Sequence, residues 1–243
     1  MASATAAPRT KAPKRPMDPN RKTSLTAGVL YLITFVSIPT LALYRPIREA
    51  GYIVGNGPDT GVIVGGILEL IVALAGVGTA VVLYSVVRRQ NETLALGLIG
   101  SRIVEAAGTL VGVASLLTIV TLRQDGAGAD AMVIGDALVA LYDRAFLLAG
   151  STMPIVNALL LGTLMYQSRL VPRLLPVLGL IGAPLLLVAN TGVLFNLWGR
   201  TSIVPAITFI PIAIWELSLG VYLTAKGFRP EGLARLGVPS TQG

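Results

Sequence analysis

Seven ionisable residues stand inside stretches that are otherwise apolar: Glu69, Arg102, Glu105, Asp136, Asp143, Arg144 and Glu216. Five are acids and two are bases. Placing such a charge at the centre of a bilayer costs at least about 2.5 kcal/mol even on insertion scales, so these groups turn into a helix bundle and find partners. The chemistry they could perform is that of a proton or cation acceptor, because a carboxyl taken out of water and set beside an arginine can load and release a proton. The plainer alternative is that Arg102 and Arg144 neutralise two of the acids, the others reach for the interfaces, and the charges only fix helix register.

Spacing sorts these residues. Arg102 and Glu105 are three apart and share one helix face, which continues through Gly108, Gly112 and Ser115. The two glycines read as a helix contact, with Leu110 off that face. At about 1.5 Å per residue, Arg102 and Glu105 lie about 12 and 16 Å from a cytoplasmic entry near residue 94, and Glu69 lies about 12 Å from an outer entry near residue 61. Those three can reach a common layer, and with Glu216 they form the candidate central cluster. Asp136, Asp143 and Arg144 fall near the outer interface and read as secondary, structural charges.

The elements that must position them are membrane spans. With 53% hydrophobic and 13% charged residues in 243, and a mean hydropathy of +0.75, the composition is that of a polytopic, all-α membrane bundle. Apolar runs at 24–43, 61–87, 94–122, 146–166, 174–197 and 203–225 predict six spans, the third acting as the hub. The stretch over 130–144 reads either as an interfacial helix or as the protruding start of the fourth span. Thr23 or Ser24 is the expected cap of the first span, Pro39 its kink, and Tyr44 an interfacial aromatic. Residues 1–23, with four prolines and six basic residues, read as a disordered cytoplasmic tail; 24–226 is the membrane domain and 227–243 a short cytoplasmic tail.

Basic residues orient the spans. The first tail holds six, the turns near 88–93 and 167–173 two each, and the last tail three; the opposite loops hold Arg45, Arg48, Arg123 and Arg200. Thirteen against four predicts both termini in the cytoplasm, which an even number of spans requires. The net charge of +7 is therefore a topology signal rather than a nucleic-acid footprint, and the partner it implies is the lipid bilayer. Cysteine and histidine are absent, which excludes disulfides, thiolate or imidazole metal sites, His-ligated haem and Ser-His or Cys-His catalysis. No cofactor and no metal site are expected, and no catalytic residue is assigned. A weak internal echo repeats Tyr84 and the Leu-Gly-Leu-Ile-Gly run at 96–100 as Tyr166 and the same run at 178–182.

Glu69, Arg102-Ile-Val-Glu105-Ala, Asp143 with Phe146, the run from Tyr166 to Pro172-Arg173, the Leu-Gly-Leu-Ile-Gly run, and the end from Glu216 to Lys226-Gly227-Phe228 occur together. In this combination the chain resembles the bacterial multi-pass membrane proteins grouped as domain of unknown function 4386, over about residues 24 to 229. The resemblance implies an inner-membrane protein of unassigned activity and marks the charged positions as characteristic of the family. The basic tail lies outside the resemblance. The reading from the residues is a small proton- or ion-coupled carrier or small-ligand-binding membrane protein; the alternative is a non-catalytic structural or regulatory one.

Overall fold

The computed structural model describes residues 17–55 and 57–239, and every regular element among them is helical. The expectation of disorder for residues 1–16 lies outside the described residues. Helix α1 (Pro19–Ile33) begins earlier than the expected start at residue 24, because Asp18 accepts a hydrogen bond from the Asn20 amide at 2.6 Å and Pro19 presets the first turn. Thr23 and Ser24 are thus not caps. They lie inside the helix, and the Thr23 hydroxyl donates to the Pro19 carbonyl at 3.0 Å.

A 3₁₀ turn over Thr34–Ser37 and the short α2 (Thr40–Leu43) follow around Pro39, which has no N–H to continue the ladder. Tyr44 is a correction. Instead of sitting at an interface it is 4% exposed and packs edge-on against Tyr142, with ring centroids 5.4 Å apart. Gly65 makes room for it, since a Cβ there would overlap the Tyr44 ring.

Helix α3 (Thr60–Val87) and the hub helix α4 (Glu92–Gln124) form an antiparallel hairpin, and Asn91 starts α4 by accepting from the Leu94 amide at 3.0 Å. Helix α5 (Met132–Ala145) then decides the alternative left open at 130–144. It runs through a π-helical segment, Phe146–Ser151, into α6 (Met153–Ser168), so it is the protruding start of the fourth span. Pro154 explains the π segment: it removes one donor and its ring crowds the preceding turn. The Thr152 amide and hydroxyl both turn back to the Leu147 carbonyl, at 3.1 and 2.7 Å.

Helices α7 (Leu174–Leu194) and α8 (Ile203–Ala225) complete the six runs long and apolar enough to cross a membrane, and α9 (Pro230–Arg235) closes the chain. Packing is cyclic: α1 lies on α3, α3 on α4, α4 on α6, α6 on α7, α7 on α8, and α8 returns to α1. The apolar core splits into two parts, one around Leu83, Leu98, Leu161 and Trp215 and one around Val62, Leu116, Ile119 and Tyr142. Between them on α4 lies the polar stretch that carries Arg102 and Glu105.

The first and last described segments meet at one end of the ring. Arg21 donates to the Leu223 and Thr224 carbonyls, at 2.9 and 2.6 Å, satisfying the last turn of α8, and Asn20 donates to the Pro239 carbonyl at 3.1 Å. Gly227 ends α8 with φ of 80°, a left-handed conformation suited to glycine, and so turns Phe228 back into the core. Leu233 of α9 is buried too, so the packed body extends past residue 226.

Candidate functional site

Arg102 is 5% exposed and reaches across the ring. Its Nη1 donates to Glu105 Oε2 at 2.9 Å, one turn along the same helix, and its Nη2 donates to Glu216 Oε1 on α8 at 3.3 Å. The same Nη2 lies 3.3 Å from the Tyr31 hydroxyl on α1, whose ring stands 5.6 Å beneath the guanidinium carbon. On α3 Gly76 lies alongside Arg102, where a Cβ would make ordinary contact with its Cδ at 3.7 Å. Glu105 Oε2 also accepts from Asn157 Nδ2 on α6 at 2.6 Å, and Asn157 Oδ1 accepts from Ser101 at 2.5 Å. One guanidinium with a planar fork of donors therefore ties three helices together, α1, α4 and α8, and Glu105 adds α6 through Asn157, a geometry that a single ammonium point charge would not reproduce.

Three of the four expected cluster members thus meet: Arg102, Glu105 and Glu216. Glu69 does not join them. Arg102 packs at the level of Gly76 on α3, and Glu69 is two helical turns away, about 10 Å toward the other end. The depth count failed because it measured the two helices from opposite ends, and α3, with 28 residues and a length of about 42 Å, is long enough to leave the two groups in different layers. Glu69 instead accepts from the Tyr142 hydroxyl at 2.7 Å and is 6% exposed.

The secondary charges also differ from expectation. Asp143 is paired by two arginines from distant loops, Arg48 at 2.7 Å and Arg200 at 2.9 Å, each group about a quarter to a third exposed. Arg48 lies over the Tyr142 ring and Arg200 over the Phe146 ring. Arg144, expected to neutralise an acid, is exposed and makes no ion pair among the described residues. Asp136 is exposed and lines a cavity of about 150 Å³ with Glu49 and Tyr52. The small face of α4 behaves as expected: a Cβ at Gly108 would overlap that of Ala149, one at Gly112 would meet the Tyr142 ring at 3.1 Å, and Leu110 is 46% exposed.

Arg123 fastens the loop between α2 and α3 to the end of α4. It pairs with Asp59 at 2.8 Å, donates to the Gly55 and Gly57 carbonyls, and stacks 4.4 Å over the Tyr52 ring. Burial and its bond to Asp59 push the Tyr52 hydroxyl up to about 12. Burial opposes ionisation of Asp59, but hydrogen bonds from Gln124 and Tyr52 and the Arg123 charge outweigh it and hold that carboxyl below its usual range. The anchor is therefore at full strength above the ordinary Asp value of about 3.9 and weakens as the pH falls through the lower folded value.

Sequence reasoning passed over Tyr31 and did not recognise Asn157 as a ligand of Glu105. The signal for both was a hydrogen-bonding side chain in mid-span, where an unpaired polar group is costly. It also passed over the contact between Asn190 on α7 and Ser151 and Thr152, at 3.0 and 3.3 Å.

Residues 26–227 match the family described as a domain of unknown function, DUF4386. The chain belongs to the DUF4386 family. No curated protein and no solved structure matches it. The matched region of this DUF4386 protein takes in all six spans except the first turns of α1, and with them Arg102, Glu105, Glu216 and the Glu69 site. Its motifs have structural work here. In the Tyr166 to Arg173 run, Leu170 and Val171 are fully buried and Arg169 adopts φ of 58°, turning α6 into α7, while the Leu170 carbonyl accepts from the Arg229 amide at 2.9 Å.

Proposed function

We propose that this DUF4386 protein is a proton- or cation-coupled carrier of a small solute, held here in a closed conformation. The observation that carries the reading is a charge count at the middle of the ring. One guanidinium, Arg102, faces two carboxyls, Glu105 and Glu216, so the ionised cluster would keep one net negative charge in a medium that solvates it poorly. A proton on one carboxyl cancels it. Glu105 is the better held, with donors from Arg102 and Asn157, while Glu216 has one bond of 3.3 Å from Arg102; Glu216 is the group that takes and gives the proton. Reconstituted protein in vesicles under a pH gradient should pass protons, read by a lumenal pH dye, and Glu216→Gln should stop this while leaving folded yield intact, because the Arg102–Glu105 pair stays balanced. Equal flux in both proteins, or none above empty vesicles in either, would overturn the carrier reading.

A structural or regulatory role is the second reading, in which the charges only fix helix register. It draws on the positions of two cavities: the one of about 150 Å³ beside Glu49 and Asp136, and another of about 180 Å³ beside Arg21 and Lys226, neither lined by the central cluster. Neither reading requires catalysis, and we read the protein as a non-enzyme without cofactor or nucleic-acid partner.

We place it in the bacterial inner membrane with both termini cytoplasmic. The basic residues at the end where the termini meet support this orientation. Reporter fusions after Arg89 and after Arg173 should both read cytoplasmic, and a periplasmic signal from either would overturn the orientation.

A further inference from the structure

Glu69 is a buried carboxyl that the central cluster does not use. It accepts a hydrogen bond from Tyr142 at 2.7 Å, and it forms no ion pair among the described residues. Tyr44 faces the same carboxyl from the end of α2 and is 4% exposed; its hydroxyl comes up to Glu69 without forming a well-aligned hydrogen bond. The two tyrosine rings meet edge-on at 81°, and the Tyr44 ring fills the space that Gly65 leaves open. We propose that Glu69, Tyr44 and Tyr142 form a second proton-binding site, separate from the central cluster, which holds a proton on Glu69 and exchanges it with water on the outer face.

Three observations carry this. The first is hydrogen-bond accounting: a protonated Glu69 accepts from Tyr142 on one oxygen and donates from the other to the Tyr44 oxygen, so both carboxyl oxygens and the Tyr44 oxygen have a partner. The second is charge. The hydroxyls beside Glu69 come from Tyr142 of α5 and from Tyr44 at the end of α2, and the neighbouring positions of α4, Gly112 against Tyr142 and Val113 against Gly66, are uncharged. The cation that acts on it is Arg200, itself paired with Asp143, which Arg48 also grips. An ionised Glu69 would therefore be a buried charge whose nearest cation is already engaged, and a proton removes that cost. The third is access. Arg200, the cation that acts on Glu69, is paired with Asp143, the residue after Tyr142, and these two charged side chains are 23% and 33% exposed. The proton arrives from water there and returns to it, with no other reactant needed.

This inference does not depend on Glu216 being the group that titrates at the centre, and the test separates the two. In infrared spectra of the purified protein at neutral pH, the C=O stretch of a protonated carboxyl stands apart from ionised carboxylates. Glu69→Gln should remove one such carboxyl band, and that same band should persist in Glu216→Gln. Tyr44→Phe, which keeps the ring and its packing, should retain the band but move it to higher frequency as the O–H loses its acceptor. Tyr44→Phe decides the matter by itself if Glu69→Gln yields too little folded protein. A spectrum unchanged by Glu69→Gln, a band unmoved by Tyr44→Phe, or a band abolished by adding sodium at constant pH would each overturn the proposed site.

Discussion

Replacing Arg102 by Met is expected to destabilise the protein by about 3–5 kcal/mol, the usual cost of removing one partner from a buried ion pair. The change keeps most of the side-chain volume but leaves Glu105 and Glu216, with side chains 18% and 16% exposed, facing each other without a cation. Folded yield in detergent and the thermal unfolding midpoint should both drop. Adding Glu216→Gln should restore part of the loss, since it removes one of the two orphaned charges; the rest stays lost because Glu105 keeps only its Asn157 donor. Glu69→Gln added to Arg102→Met should restore nothing, because Glu69 belongs to a different layer of the ring. Strictly additive losses in the Arg102→Met, Glu216→Gln double variant would mean that the two residues are not coupled and would remove the central cluster.

Gly28→Ala is expected to be the most damaging single methyl group in the bundle. A Cβ at Gly28 would stand 2.6 Å from the Thr224 amide nitrogen and 2.8 Å from the Gly220 carbonyl oxygen, both in the backbone of α8. Side chains can change rotamer, but a helix backbone yields only by moving the helix. The expected loss is therefore about 1–3 kcal/mol from overpacking, against a gain of about 0.5–1 kcal/mol from better helix propensity. Moving α8 away from α1 would also carry Glu216 away from Arg102, so the loss should appear in both unfolding and proton flux. Gly100→Ala is the control: it lies inside α4 with nothing within 4 Å of the new methyl, and should gain about 0.5–1 kcal/mol. Thermal shifts of the same sign in the two variants would show that the α1–α8 contact is not as close as the geometry requires.

The spans, their number and most of their bounds were legible in the chain because the thickness of hydrocarbon and the cost of unpaired backbone act on each segment separately. The hub status of α4 was legible for the same reason: a base and an acid three residues apart in an apolar run must turn inward wherever the helix goes. The face carrying Gly108 and Gly112 followed from helical periodicity alone. What tertiary structure decided was the choice of partners. Glu216 and not Glu69 meets Arg102, Arg48 and Arg200 rather than Arg144 hold Asp143, and Tyr44 is buried against Tyr142. None of these is a property of one helix. Each depends on which helices are neighbours around the ring, how far they are offset along their axes, and how each is rotated. Those quantities are settled by close contacts at small residues, such as Gly28 against the α8 backbone and Gly65 against the Tyr44 ring, and by the loops that bring Arg48 and Arg200 to Asp143. Hydropathy can require that a buried charge be paired, but only the packed ring determines with what.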